Sequence, residues 1–196
     1  MTSLPPISSL PSLPEATQSQ ILDTLFESSK DLHTLALPLL AHQTFSSYHS
    51  LITAIGARMT ALSAENSSKD REVLHGILGA HPRLGEKKQE SLSEMSRREQ
   101  EGLNAGTGEG ERVEGEQGEA LKKREEQTAE LKRLNRVYEE TFPGLRYVVF
   151  VNGRGRDVIM QDMQRRIERG DMDREKEEII QAMCDIAIDR AQKLQS

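Results

Sequence analysis

Arg146-Tyr147-Val148-Val149-Phe150-Val151 is the one run in this chain with strand character. Its β-branched and aromatic residues favour extended backbone. The chain has no second such run for it to pair with, and a lone strand would leave its backbone groups unsatisfied. The fold class that follows is all-α: a single-domain multi-helix bundle with one short extended segment near 146–151.

Helical signals surround this run. Leu131, Leu134 and Tyr138 mark one side of a helix over 121–141, which Phe142-Pro143-Gly144 breaks. After the run, Asn152-Gly153-Arg154-Gly155 is a turn, and Asp157 is the expected cap of a helix ending near Arg169. A last helix begins at Asp173 and buries Ile179, Ile180, Met183, Ile186, Ala187 and Leu194. Toward the N-terminus, Ile21, Leu22, Leu25 and Phe26 mark a helix over 14–26, and a Leu-rich helix over 30–41 carries Pro38 as a break or kink. Phe45, Tyr48, Ile52, Ile55, Met59 and Leu62 recur at three- and four-residue steps, which predicts a helix over 45–62. Ser67 to Asp70 supplies caps for a helix with Val73, Leu74, Ile77 and Leu78, and Gly79 stops it. A further helix starts near Ser91.

Residues 1–13, with prolines at 5, 6 and 11, form an extended lead-in to a helical domain over 14–194. Between 104 and 119 the composition collapses to Gly, Glu, Gln and Thr, as in a flexible acidic insertion between helices.

Composition narrows the classes of function. The 196 residues carry a net charge of −6, which argues against a general nucleic-acid binder. No apolar run approaches the roughly 18 residues of a membrane span, and the N-terminus lacks a secretory pattern. Lys193-Leu194-Gln195-Ser196 is not a Ser-Lys-Leu ending, and the expected location is cytoplasmic or peroxisomal. Cys184 stands alone, which excludes an intrachain disulfide and a cysteine zinc cluster. His42 and His49 share a face only if one helix carries both, and no His-x-x-x-His spacing occurs, so no metal is expected.

Two short polar clusters carry the chemistry. His81-Pro82-Arg83-Leu84-Gly85 follows a helix stop, which makes His81 a loop residue held extended before proline. Leu92, Ser96, Glu99 and Leu103 share one helical face, so a hydroxyl and a carboxylate replace hydrophobes on an inward stripe. A buried carboxylate needs compensation. Histidine moves protons near neutral pH, and Glu99 is placed to orient or assist it. The bland alternatives are an ordinary loop histidine and a solvated Glu99. Arg154, in a tight turn, offers a guanidinium to a carboxylate or ureido edge, against the default of an exposed turn arginine.

Together these segments resemble the 2-oxo-4-hydroxy-4-carboxy-5-ureidoimidazoline (OHCU) decarboxylases of urate breakdown. In family order the matching pieces are Leu25-Phe26-Glu27-Ser28-Ser29, His81-Pro82-x-Leu84, Ser96-x-x-Glu99-Gln100, Leu134-Asn135-x-x-Tyr138 with Phe142, and Phe150-Val151-x-Gly153-Arg154. Arg165-Arg166-Ile167 and Asp185-Ile186-Ala187-x-x-Arg190 complete the set. Arg83 stands where many relatives carry an acid, Ala182 stands near the place of a usual glutamate, and the acidic insertion is longer than the typical connection.

The resemblance implies an all-α enzyme that needs no cofactor and converts a small polar ureidoimidazoline to S-allantoin and carbon dioxide. It implies His81 and Glu99 as the catalytic pair. It also implies substrate contacts from Pro82, Ser96, Gln100 and Arg154, with backbone from Val149, Phe150 and Val151. The expected partner is the small-molecule substrate, with no nucleic acid and no membrane, in a homodimer. Two other classes stand beside it: a non-enzymatic helical interaction module, and a binder of purine-like ligands without turnover.

Overall fold

The structure, a computed structural model, describes residues 3–65, 67–85, 95–96 and 116–195; of 116–121 and Arg124 only the backbone is described. The described residues are all-α, without a strand. Among the described residues, the helices longer than two turns are α1 (Glu15–Phe26), α2 (Lys30–His42), α3 (Tyr48–Glu65), α4 (Ser68–Leu78), α5 (Glu116–Thr141), α6 (Arg156–Arg169) and α7 (Met172–Gln195). The described residues group into two compact units: one up to His81 together with α7, the other from Pro82 to Asp171.

In the first unit α7 packs against α1, α3 and α4, and α2 packs against α1, α3 and α4. Its core holds Leu22, Leu25 and Phe26 from α1, Leu51, Ile52, Ile55 and Met59 from α3, and Ile179, Met183 and Ala187 from α7. The three- and four-step spacing selects these residues apart from Leu51, while Phe45, before the start of α3, and Leu62 are only half-buried. At Gly56 a Cβ would stand 2.7 Å from Cys184 Sγ, so glycine lets α3 and α7 approach. The α4 N-terminus is a capping box: the Ser67 hydroxyl accepts from the Asp70 N–H, and Asp70 accepts from the Ser67 N–H.

Several expectations change here. Pro38 neither ends nor divides its helix; α2 runs through it to His42. The missing N–H forfeits one helical bond, but burial of Leu32, Ala36 and Leu40 holds the helix together. The lead-in is not wholly extended, because Ile7–Ser12 forms a 3-10 helix that buries Leu10. The lead-in is tied down as well: Leu4 N–H donates to the Leu194 carbonyl at 3.1 Å and the Tyr48 hydroxyl to the Pro5 carbonyl at 2.9 Å. His42 ends α2 and His49 lies in α3, so they do not share one helix.

In the second unit α5 packs on α6. α5 starts at Glu116, so the last residues of the acidic segment 104–119 are helical; 104–115 lie outside the described residues. Gly155, not Asp157, is the N-cap of α6; Asp157 sits in the first turn, where its charge meets the helix dipole, and accepts from Gln127 on α5 at 2.8 Å.

The run 146–151 pairs with no strand among the described residues. A side chain takes over part of the work of a missing sheet neighbour. Arg166, buried on α6, donates to the Val148 carbonyl at 3.1 Å and stacks 4.7 Å from the Tyr147 ring centroid. The Tyr147 hydroxyl donates to Asp162 at 2.7 Å, and the ring meets Tyr138 edge-on at 5.5 Å. Tyr147 and Val148 are buried, while Val149, Phe150 and Val151 are half-buried.

Candidate active site

His81 is positioned by the way α4 ends. Gly79 caps the helix with its N–H on the His75 carbonyl, and the Ala80 N–H bonds the Ile77 carbonyl at 3.2 Å. The chain then turns before Pro82. The backbone of His81 is a loop, as expected, but its side chain is not a surface one: the residue is only 5% exposed. Burial above all, and Arg190 with it, push its pKa down from 6.5 to about 4, against an opposing pull from Glu27. The imidazole is therefore neutral at physiological pH.

Glu27 and Arg190 form a buried ion pair at 2.8 Å, with side chains 6% and 0% exposed. Arg190 on α7 also donates to the carbonyls of Thr24 at 3.2 Å and Leu25 at 3.4 Å, the last turn of α1. Glu27 closes α1 with φ 78° and ψ 154°. That backbone region is essentially reserved for glycine, and a side chain held there costs about 1–3 kcal/mol. Both residues fell inside matched motifs, yet neither was expected to have a role. The available signal was Arg190 itself: Met183, Ala187, Arg190 and Leu194 lie at steps of four, three and four. A cation on an apolar stripe requires a buried acceptor.

In the second unit the Pro82 loop is fastened to α5. Arg83 makes a two-pronged ion pair with Glu139, both contacts at 2.6 Å. The Asn135 amide donates to the Leu84 carbonyl at 3.0 Å. Gly85, at φ 81°, passes so close to α5 that a Cβ would stand 2.4 Å from Leu131. Arg83 is thus an anchor here, and Ala182 is a buried residue on α7.

Ser96 lies in a helical turn and is 3% exposed. Glu99 and Gln100 lie outside the described residues. Arg154 is exposed and folds back on its own turn: Nε donates to the Val151 carbonyl at 3.3 Å and Nη2 to the Phe150 carbonyl. Its guanidinium and the half-buried 149–151 segment are therefore one local assembly.

The family model for OHCU decarboxylases matches residues 11–114 and 107–192. The chain belongs to the OHCU decarboxylase family. No curated protein matches it. The two matched stretches overlap at 107–114, inside the acidic segment 104–119, so together they span residues 11–192. Family membership gives the class of chemistry, a decarboxylase of urate degradation, hence a lyase. Among the described residues no cluster of three or more His, Cys, Asp or Glu could hold a metal ion, and no helix is long and apolar enough to cross a membrane.

Cys184 touches the Ile52 carbonyl at 4.0 Å, and burial lifts its thiol to about 11, so it remains a thiol rather than a nucleophilic thiolate.

Proposed function

We propose that this chain catalyses decarboxylation of 2-oxo-4-hydroxy-4-carboxy-5-ureidoimidazoline to S-allantoin and carbon dioxide without a cofactor. Membership of the OHCU decarboxylase family supports the reaction class. The observation that carries the residue assignment is His81: a buried, neutral imidazole in His81-Pro82-x-Leu84, one of the segments on which the resemblance to the family rests.

The chemistry asks little of the protein. A carboxylate leaves as carbon dioxide, the conjugated ring takes up its electrons, and one proton must be returned from a defined side. Orientation and one well-aimed proton relay suffice. A neutral His81 acts first as a base on the substrate hydroxyl and then as the acid that returns the proton. Glu99 is its proposed partner. Ser96 and Gln100 hydrogen-bond the polar ring edge, Arg154 binds a carboxylate or ureido oxygen, and Pro82 with the 149–151 backbone borders the substrate. Acid–base catalysis of this kind contributes about 10²–10⁴-fold.

The test is chiral analysis of allantoin formed from freshly generated substrate, with buffer alone as reference. The expected result is accelerated appearance of the S enantiomer, and its loss in His81→Asn. Racemic product at the buffer rate with detectable substrate binding would indicate a ligand binder; no binding at all would indicate the helical interaction module.

A further inference from the structure

The corner between α1 and α2 is built at unusual cost for a connection of three residues. Glu27 occupies glycine-type backbone, carries a charge, and is buried. Each of these is unfavourable alone. A simple helix stop at this corner requires none of them, because a glycine would satisfy the backbone without strain or charge.

Two residues, Arg190 and Ser29, brace the corner. Arg190 on α7 grips it through the Glu27 carboxylate and the Thr24 and Leu25 carbonyls. Ser29, the N-cap of α2, accepts from the Leu32 N–H at 3.3 Å and donates to the Gly76 carbonyl on α4 at 3.4 Å. α4 is the helix whose end delivers His81. The corner is thereby joined both to the cation and to the element that carries the imidazole.

We propose that Glu27 and Arg190 are positioning residues for His81, a buried pair of opposite charges that fixes the α1–α2 corner beside α4 and sets the electrostatic surroundings of the imidazole. The proposal rests on the assignment of His81 as the reacting group. Both charges act on the imidazole, Arg190 from α7 against protonation and Glu27 from the end of α1 in favour of it. The pair thus lets the protein bury a base without leaving one naked charge next to it. Neither residue is asked to touch substrate.

Opposing charges give the test a sign that a purely structural role would not. The His81 imidazole is titrated by ¹⁵N NMR, identified by its absence in His81→Asn, alongside kcat and KM. In Arg190→Gln the midpoint should rise from about 4 toward the ordinary histidine value, and in Glu27→Gln it should fall. In both, kcat should drop by about ten-fold or more, with KM changed by less than about three-fold, as when a transition-state interaction is lost. Folded variants that titrate His81 at the wild-type pH and keep wild-type kcat overturn the proposal. Should the charge deletions fail to fold, Glu27→Asp decides. It keeps the charge and shortens its reach, and full wild-type kcat in the folded protein overturns the proposal. If His81→Asn remains active while the midpoints move as stated, the assignment of His81 fails and the electrostatic coupling stands.

Discussion

The Asn135 side chain donates to the Leu84 carbonyl at 3.0 Å across fifty-one positions of sequence. Both groups are buried, so the bond anchors the loop that follows His81 to the C-terminal half of α5. It also gives physical content to Leu134-Asn135-x-x-Tyr138, in which Leu134 and Tyr138 pack inward and Asn135 holds a main-chain oxygen. Asn135→Asp keeps the shape but turns a carboxylate oxygen toward that carbonyl. It should cost about 1–3 kcal/mol of stability and lower kcat/KM. Arg136→Gln, altering an exposed pair at 3.9 Å with Glu140, should stay within about 0.5 kcal/mol. Urea melts of the two variants side by side check this.

Acid should weaken the fold before the carboxylates protonate. His81 has a folded pKa of about 4 against 6.5 when ordinary, so between these values the unfolded chain binds the extra proton. Its contribution is fully present above about pH 6.5 and lost as pH falls toward 4, on the order of 3 kcal/mol in all. His75, also lowered by burial and by Lys176 and Arg71, acts in the same direction. Urea midpoints from pH 7 to 4.5 should fall steadily in the wild type and less steeply in His81→Asn.

Gly56→Ala should destabilise the first unit by about 1–3 kcal/mol, because the new methyl would meet Cys184 Sγ at 2.7 Å. Adding Cys184→Ala removes the obstructing sulfur and should recover most of the lost Tm. Equal melting of the single and double variants would place the strain elsewhere.

Arg154→Lys separates local bracing from surface charge. The guanidinium reaches two carbonyls of its own turn, Val151 and Phe150, and its plane suits a carboxylate or ureido edge. A lysine ammonium cannot reproduce that fork. The expected loss in kcat/KM is about ten-fold, one charge-assisted hydrogen bond of about 1.5–3 kcal/mol, while Tm stays within about 2 °C. Wild-type kinetics would remove Arg154 from the proposed site.

Periodicity revealed α3 and α7 because their apolar positions recur at helical steps and tertiary packing uses those same positions. The capping box at Ser67 and Asp70 was equally legible, since its partners lie three residues apart. Long-range compensation was not. Pro38 reads as a break or kink until burial of its neighbours is known, and nothing in the extended segment 146–151 indicates that Arg166 supplies it a donor from eighteen residues away. In the same way the sequence directed attention to His81 but not to the ion pair beside it. Glu27 looks like any charged residue after a helix, and only its partnership with Arg190, on the opposite end of the chain, explains its burial.

The first unit is discontinuous: its cation arrives on α7, more than a hundred and sixty residues after the carboxylate it neutralises. During synthesis the early helices therefore leave the ribosome with a Glu27 corner that lacks Arg190 and an α3 that lacks its α7 neighbour. The segment from Pro82 to Asp171 is complete before that. The first unit therefore cannot close around its ion pair until its last helix has been made. A nascent chain stalled before residue 190 should be digested by protease in its first eighty residues, and release of α7 should close that window.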